Sequence, residues 1–147
     1  MSATVTHTFL LQPARWQASG WYRGQNGDVF PVSGETRISH RAELWLNEGE
    51  MRLDGGPAFV NRYEVTPFRA NTTETVWRSQ SRQLGAMQGR FILVGAAILS
   101  PYRSVDGLWF GNETLLKLSD NHYRVLGTLL NNNLVNGAWE VDMHRLL

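Results

Sequence analysis

The chain has no cysteine among its 147 residues. Disulfide bonds and thiolate metal ligands are therefore excluded, and the fold must depend on its apolar core. A chain of this length buries roughly 70% of its unfolded surface, which is enough for one domain without covalent staples. We expect a single domain over residues 1–147.

Long apolar runs and an excess of one charge are also missing. The first twenty residues lack a basic start and hold only a short apolar stretch around Phe9, too short for a signal peptide or a membrane span. The net charge of +1 provides no field for nucleic acid or anionic membrane. We therefore predict a cytoplasmic protein without nucleic-acid partners or membrane insertion, and leave its oligomeric state open.

The common catalytic and cofactor motifs are absent. We find no Gly-x-Ser-x-Gly, no phosphate-binding glycine loop, no His-Glu-x-x-His and no dinucleotide fingerprint. Glu140, Asp142 and His144 share one face of a predicted strand, but a solvated outer face explains them better than a metal site. The Gly-x-Trp-x-Gly-x-Gly opening of nitrobindin-type heme barrels is absent too. We predict no metal and no cofactor.

What the chain does contain is turn signals between runs of alternating polarity. Asn26-Gly27 is typical of a type I′ hairpin, and Ser119–Asn121 and Asn131–Asn133 also indicate turns. Between such turns, residues such as Trp139, Val141 and Met143 alternate with polar ones, the period of a strand. The predicted strands are 4–11, 16–24, 28–39, 58–68, 73–83, 86–100, 107–118, 121–130 and 136–146.

Two segments are less clear. Residues 40–53 have the composition of a short helix, yet Leu44-Trp45-Leu46 followed by Asn-Glu-Gly also suits a hairpin, which we favour. In the long run 86–100, the glycines Gly89 and Gly95 indicate a bend, a bulge or a close backbone approach.

This many strands joined by short turns would leave two open edges in a flat sheet, whereas closure removes them. The pattern predicts an all-β fold with little helix, a single antiparallel and mostly up-and-down barrel of about 8–10 strands. A barrel of this size is wide enough inside for one small ligand.

The predicted barrel resembles the calycin group, that is, lipocalins and fatty-acid-binding-protein-like barrels. Lipocalins open with Gly-x-Trp on the first strand and carry a late Arg that packs over that Trp. Here Gly20 and Trp21 are adjacent, Trp16 lies just upstream, and Arg145 follows the last alternating run. The resemblance implies that Arg145 lies over Trp16 or Trp21 and that the barrel binds hydrophobic small molecules. Some relatives are enzymes, so fold alone does not choose.

Aromatic residues are the most informative group, with six Trp, six Phe and four Tyr. Many fall on apparent inward faces together with polar residues that would be costly in a dry core. Aromatic walls with sparse polar groups typify ligand pockets, although the same aromatics could fill a solid core. The predicted ligand-binding residues are Trp45, Asn61, Tyr63, Trp77, Ser79, Phe91, Phe110, Asn112, Tyr123 and Trp139.

Three functional hypotheses follow. The first is a barrel that binds a small hydrophobic molecule. The second is a cofactor-independent isomerase, cyclase or lyase in the same cavity, with His40, Glu113 and Tyr123 as acid–base candidates. The third is an interaction or assembly module with a solid core. Sequential strand order would also allow an Arg90–Glu113 ion pair. Such a pair is most simply a salt bridge on the outer wall, and the alternative is a buried pair whose carboxylate acts as a base or anchors a ligand.

Overall fold

The fold is a closed barrel of ten antiparallel strands in up-and-down order. The computed structural model describes residues 5–54 and 56–147. The strands are β1 (Ala14–Gly24), β2 (Val29–His40), β3 (Trp45–Leu53), β4 (Ala58–Val65), β5 (Glu74–Ser81), β6 (Gly85–Val94), β7 (Ala97–Ser104), β8 (Trp109–Ser119), β9 (His122–Asn131) and β10 (Leu134–Leu146). Each strand pairs with its sequence neighbours, and β1 pairs with β10 to close the barrel. The predicted all-β, up-and-down barrel is confirmed.

Alternation in the sequence sets the two faces of the wall. On β1, Trp16 and Ala18 are buried inside, whereas Arg15 and Gln17 are exposed outside. The outer face carries cross-strand ion pairs such as Arg15–Glu35 and Arg90–Glu74. Exposed pairs of this kind contribute little stability each, so burial of the inner face holds the barrel together. Within the described part of the chain, no helix has the length and hydropathy needed to cross a bilayer.

The predicted hairpins at 26–27 and 119–121 are present, with one difference in turn type. Of the two central residues Asn26 and Gly27, only Gly27 has a positive φ (85°), and its N–H donates to the Gly24 carbonyl at 3.0 Å. The turn is therefore a type I turn followed by a left-handed glycine rather than a type I′ turn. Asn132 and Asn133, with φ of 52° and 65°, instead provide the pair of left-handed residues that a type I′ turn requires.

The predictions for two segments, 86–100 and 40–53, need correction. The run 86–100 is not one strand, because Gly95 adopts a left-handed φ of 55° and turns the chain between β6 and β7. Residues 40–53 are not helical and form no turn at Asn47–Gly49. The hairpin turn lies at 41–44 instead, and β3 runs straight through Glu48 and Gly49 to Leu53. The apolar pattern of this segment continues beyond the apparent turn because Met51 and Leu53 also face inward.

The predicted strand 4–11 is wrong for its described residues, and Thr4 lies outside them. Residues 5–13, here called the floor segment, form no strand but a turn that closes one end of the barrel. Phe9 and Leu10 are almost fully buried there, and Phe9 packs edge-on against Trp16 and Tyr123. The apolar run is buried, but it packs across the barrel rather than along its wall.

Hydrogen bonds hold the floor segment to strands β2 and β9 and to the turns at Gly95 and Asp120. His7 Nδ1 lies 2.7 Å from the Tyr123 hydroxyl and His7 Nε2 lies 3.0 Å from the Gly95 carbonyl. The Thr8 hydroxyl donates to the Asp120 carbonyl, and His40 Nε2 lies 2.8 Å from the Leu10 carbonyl. These contacts satisfy polar groups that would otherwise be buried without partners.

Candidate functional site

A cavity of about 590 Å³ occupies the barrel above the floor segment. Phe9 and Leu10 form its base, and the inner faces of the strands form its wall. Binding sites for small molecules typically have about 300–1,000 Å³, so the space suits one ligand. Most of the wall is apolar or aromatic, with polar groups from Asn61, Ser79 and Glu113 among them.

Four aromatic rings lie against the wall because glycines face them from neighbouring positions. A Cβ on Gly89 would come within 2.4 Å of the Trp77 ring, and one on Gly127 within 2.2 Å of the Trp139 ring. Gly111 and Gly137 provide the same space for Tyr102 and Tyr22. Because each ring fills the place of a missing side chain, less of it protrudes into the barrel. The cavity therefore depends on glycines as much as on aromatics.

Glu113 places a carboxyl group in this aromatic interior. In the described part of the chain it accepts one side-chain hydrogen bond, from Trp139 Nε1 to Oε2 at 2.9 Å. Burial raises the pKa of Glu113, and the Trp139 hydrogen bond opposes part of that rise. Burial also raises the pKa values of Tyr63 and Tyr102 well above their ordinary range, and the charge of Glu113 raises them further.

Other polar groups of the wall find partners within the protein. Trp77 Nε1 donates to Ser100 Oγ at 2.9 Å, and the Tyr102 hydroxyl donates to the Thr128 carbonyl at 2.6 Å. These bonds fix both rings in place. Among the described residues, Glu113 Oε1 has no such donor, which leaves this oxygen available to a molecule in the cavity.

The wall of the barrel has an opening between β4 and β5, next to the mouth. The β4–β5 ladder has only three residue pairs, Tyr63 with Ser79, Glu64 with Arg78 and Val65 with Trp77. The remaining part of β4, residues 58–62, separates from β5 and leaves a slot that continues the mouth of the barrel down its wall. Val60, Arg62 and Gln80 border both the slot and the cavity.

Most of the predicted ligand-binding residues border the cavity. Those that do are Asn61, Tyr63, Trp77, Ser79, Phe91 and Trp139, together with the acid–base candidate Glu113. They come from five strands, β4, β5, β6, β8 and β10, which the closed barrel brings around one space. Whether they bind a ligand remains a prediction.

The predicted placement is wrong for Phe110 and Asn112. Both lie on the outer face of β8, where Phe110 is 37% exposed and Asn112 accepts from the Thr128 hydroxyl. The inner positions of β8 are Trp109, Glu113 and Leu115. Apolar and polar residues do not alternate cleanly along Trp109–Leu115, so the face was assigned one residue out of phase.

Trp45, Tyr123 and His40 also lie away from the cavity wall, at the closed end. Tyr123 is fully buried against the floor segment, and His40 stacks on Trp45 with ring centroids 3.9 Å apart. All three face inward, but the floor segment separates this layer from the cavity. The sequence could not show this, because the same segment had been predicted as a wall strand.

The predicted Arg90–Glu113 pair is wrong. Since Gly95 ends β6, strand β7 lies between β6 and β8, and Arg90 faces outward to Glu74 at 3.2 Å. Arg145 is the ladder partner of Trp16 across β1 and β10, and its guanidinium donates to Gln12 Oε1. That Arg145 packs over the Trp16 ring stays a prediction. Trp21, the other predicted partner, pairs with Glu140 on the outer face.

Several cavity residues were missed by the sequence interpretation. Tyr22 follows Trp21 directly, and two adjacent aromatics give no indication of which faces inward. Tyr102 follows Pro101, where the predicted strand was taken to end. Both residues and Trp109 border the cavity. The glycines Gly111, Gly127 and Gly137 were a usable signal, because a glycine inside a strand often marks a place where another group approaches closely.

The acidic and histidine residues of β10 lie outside the barrel. Asp142 accepts from Arg124 and lies 2.8 Å from His122 Nε2, while His144 stacks on His122. Across residues 5–54 and 56–147, no three His, Cys, Asp or Glu side chains are grouped so that they could hold a metal ion.

Comparisons with known proteins support the fold alone. No protein-family model matches the chain, and no curated protein sequence matches it. The solved structure of an S-type phycobiliprotein lyase, CPES from Guillardia theta, is similar with a TM-score of 0.70 and 7% identity, covering 93% of this chain and 89% of that one. A candidate AttH protein from Nitrosomonas europaea has a TM-score of 0.33 and 11% identity, covering 91% of this chain and 50% of that one. The barrel is calycin-like, as the sequence resemblance implied.

Proposed function

We propose that this barrel binds one small, largely apolar molecule inside its cavity. The observation that carries the proposal is the space of about 590 Å³ within a wall of aromatic and aliphatic side chains. A module with a solid core would fill this volume with side chains, since protein interiors are close-packed. Here the glycines opposite Trp77 and Trp139 keep the volume open, which favours a ligand.

Binding can be tested with a neutral dye whose fluorescence rises in apolar surroundings. We expect saturable binding to the wild type and its loss in Ser79→Trp, because the new indole would occupy the cavity between Tyr63 and Met87. Ser33→Trp is the matched control, since Ser33 is exposed on the outer face of β2. If the dye fails to saturate the wild type, or if both variants bind it equally, the proposal is wrong.

A second candidate is an isomerase, cyclase or lyase that acts on the bound molecule. It is favoured by Glu113, because a carboxyl group inside the barrel with a raised pKa is suited to donate and accept a proton. The similarity to a phycobiliprotein lyase agrees with this candidate but shows only the fold. His40 and Tyr123 are unsuitable as acid–base groups here, since both lie at the closed end behind the floor segment.

The two candidates differ in what happens to the ligand. A molecule that co-purifies with the protein can be identified by mass spectrometry and incubated with wild type and Glu113→Gln. Conversion by the wild type alone would support the enzyme. Recovery of unchanged ligand after incubation with both proteins would leave the binding function.

A further inference from the structure

The cavity contains one carboxyl group that no cation of the chain neutralises in the described structure. Glu35 and Glu50 also border the cavity region, but each is exposed and paired, with Arg15 at 2.5 Å and Arg52 at 2.6 Å. Arg62, at the slot, lies 3.8 Å from Glu48. Glu113 instead accepts from the uncharged Trp139 indole.

A carboxylate inside the barrel destabilises the protein unless a positively charged partner pairs with it. Taking a charged group out of water is unfavourable, and proteins normally pair buried charges. For structure alone, glutamine would serve as well, because its amide oxygen also accepts from Trp139. The acid therefore suggests a partner that the chain itself does not supply.

The surroundings of Glu113 suit a cation. The ring of Trp139 is stacked against Tyr22, with centroids 6.2 Å apart and planes 15° apart, and its N–H reaches the carboxylate. Tyr63 and Tyr102 lie close enough to Glu113 for its charge to raise their pKa values. Faces of Trp and Tyr attract positive charge, and aromatic groups beside a carboxylate form a recognised environment for organic ammonium groups.

Resting on the proposed binding function, we infer that the ligand is an organic cation. Its ammonium group would donate to Glu113 Oε1, while its apolar part would lie among Trp77, Phe91 and the aliphatic wall. A neutral ligand can donate a hydrogen bond to the carboxylate but leaves its charge unpaired, and an anionic one is repelled by it. The site therefore selects by charge as well as by shape.

Three probes of one shape test this inference: 2-naphthylmethylamine, 2-naphthylmethanol and 2-naphthoate, each competing at pH 7 with the neutral dye. We expect the amine to bind at least about tenfold more tightly than the alcohol, as a charge-assisted hydrogen bond would give, and the carboxylate to bind most weakly. In Glu113→Gln the preference for the amine should disappear, while the affinities for the alcohol and the dye stay within about twofold.

Glu74→Gln is the matched control, since Glu74 is exposed on β5 and pairs with Arg90 outside the barrel. It should retain the wild-type order of affinities. Equal binding of amine and alcohol by the wild type would overturn the inference while leaving the binding function intact. So would an amine preference that survives in Glu113→Gln. If neither dye nor probes bind, both proposals fail.

Discussion

Glu113 has two opposing effects: it provides the cavity with a carboxyl group for a ligand, and it lowers the stability of the fold. Its raised pKa means that the folded state holds the proton more tightly than the unfolded chain does. Stability from this group is therefore full below the unfolded value of about 4.5 and is lost as pH rises through the folded pKa. Above the folded pKa, the ionised side chain opposes folding.

We therefore expect Glu113→Gln to be more stable than the wild type at pH 7, by a margin that shrinks as pH falls toward 4.5. Glutamine keeps the hydrogen bond from Trp139 without the charge. Urea unfolding of both proteins at several pH values measures the difference. A constant margin across that range would mean that the carboxyl is not perturbed by burial.

Prediction of individual residues from the sequence succeeded where polarity alternates and failed where it does not. On β5, Thr75, Trp77 and Ser79 all face inward as alternation indicated. On β8 the side chains of Trp109, Phe110, Asn112 and Glu113 give no clear period. The inward place of Glu113 follows only from the register of β8 with β7 and β9.

At the scale of strands, the open cavity depends on the pairing of aromatic residues with glycines. Gly127→Ala would bring a Cβ within 2.2 Å of the Trp139 ring, which must then turn into the cavity and release Glu113. We expect a loss of stability of about 1–3 kcal/mol, typical of overpacking, together with weaker dye binding. Thermal unfolding and dye titration measure the two effects.

Gly24→Ala provides the control for this change. Gly24 is also in a strand, but nothing lies within 4 Å of a Cβ added there. Its stability and dye affinity should match the wild type. If Gly127→Ala behaves in the same way, the ring is not held by that glycine.

The floor segment carries a pH dependence of opposite origin. Burial lowers the pKa of His7 below 6.5, so the unfolded chain binds the proton more tightly than the folded protein. The stability that His7 contributes is present above pH 6.5 and decreases as pH falls below it. The neutral ring fits its place, with one nitrogen facing a hydroxyl and the other a carbonyl.

We expect stability to decrease less steeply between pH 6.5 and 5 in His7→Gln than in the wild type. His144→Gln, on the exposed part of β10, should keep the wild-type slope. Since Glu113 contributes a change of the opposite sign above pH 4.5, the comparison between variants is the measurement, made by urea unfolding. Identical slopes in wild type and His7→Gln would contradict the argument.

Strand prediction depended on turn chemistry. The seven strands bounded by clear turn signals agree with the structure to within three residues at each end. The turn at Gly95 was missed because apolar residues flank it on both sides. The floor segment was missed because an apolar run indicates burial but does not show whether the chain runs along a wall or across it.

For the whole molecule, the slot between β4 and β5 is the expected access route. Continued register from Tyr63 and Ser79 would place Arg62 opposite Gln80. A disulfide in Arg62→Cys/Gln80→Cys would narrow the slot, and the absence of other cysteines prevents mispairing. Stopped-flow mixing with the dye should show slower association in the oxidised form than in the same protein after reduction. Equal rates would indicate that ligands enter only through the mouth.

Closure of the barrel was predictable because short turns and sequential strands leave few alternatives. The volume of the cavity inside the barrel was not predictable from the sequence. It depends on which aromatic rings meet glycines across the ladder, as Trp139 meets Gly127, and this is a property of register rather than of composition.

The floor segment makes the barrel a cup rather than a tube, with Phe9 and Leu10 sealing its base. With this end closed, a ligand of the proposed kind would both enter and leave by the mouth of the barrel and the slot that continues it. Ligand exchange would then proceed at the dissociation rate of the bound molecule, whatever the concentration of the incoming one. Retention of a bound ligand would therefore depend on its dissociation rate rather than on the concentration of competitors.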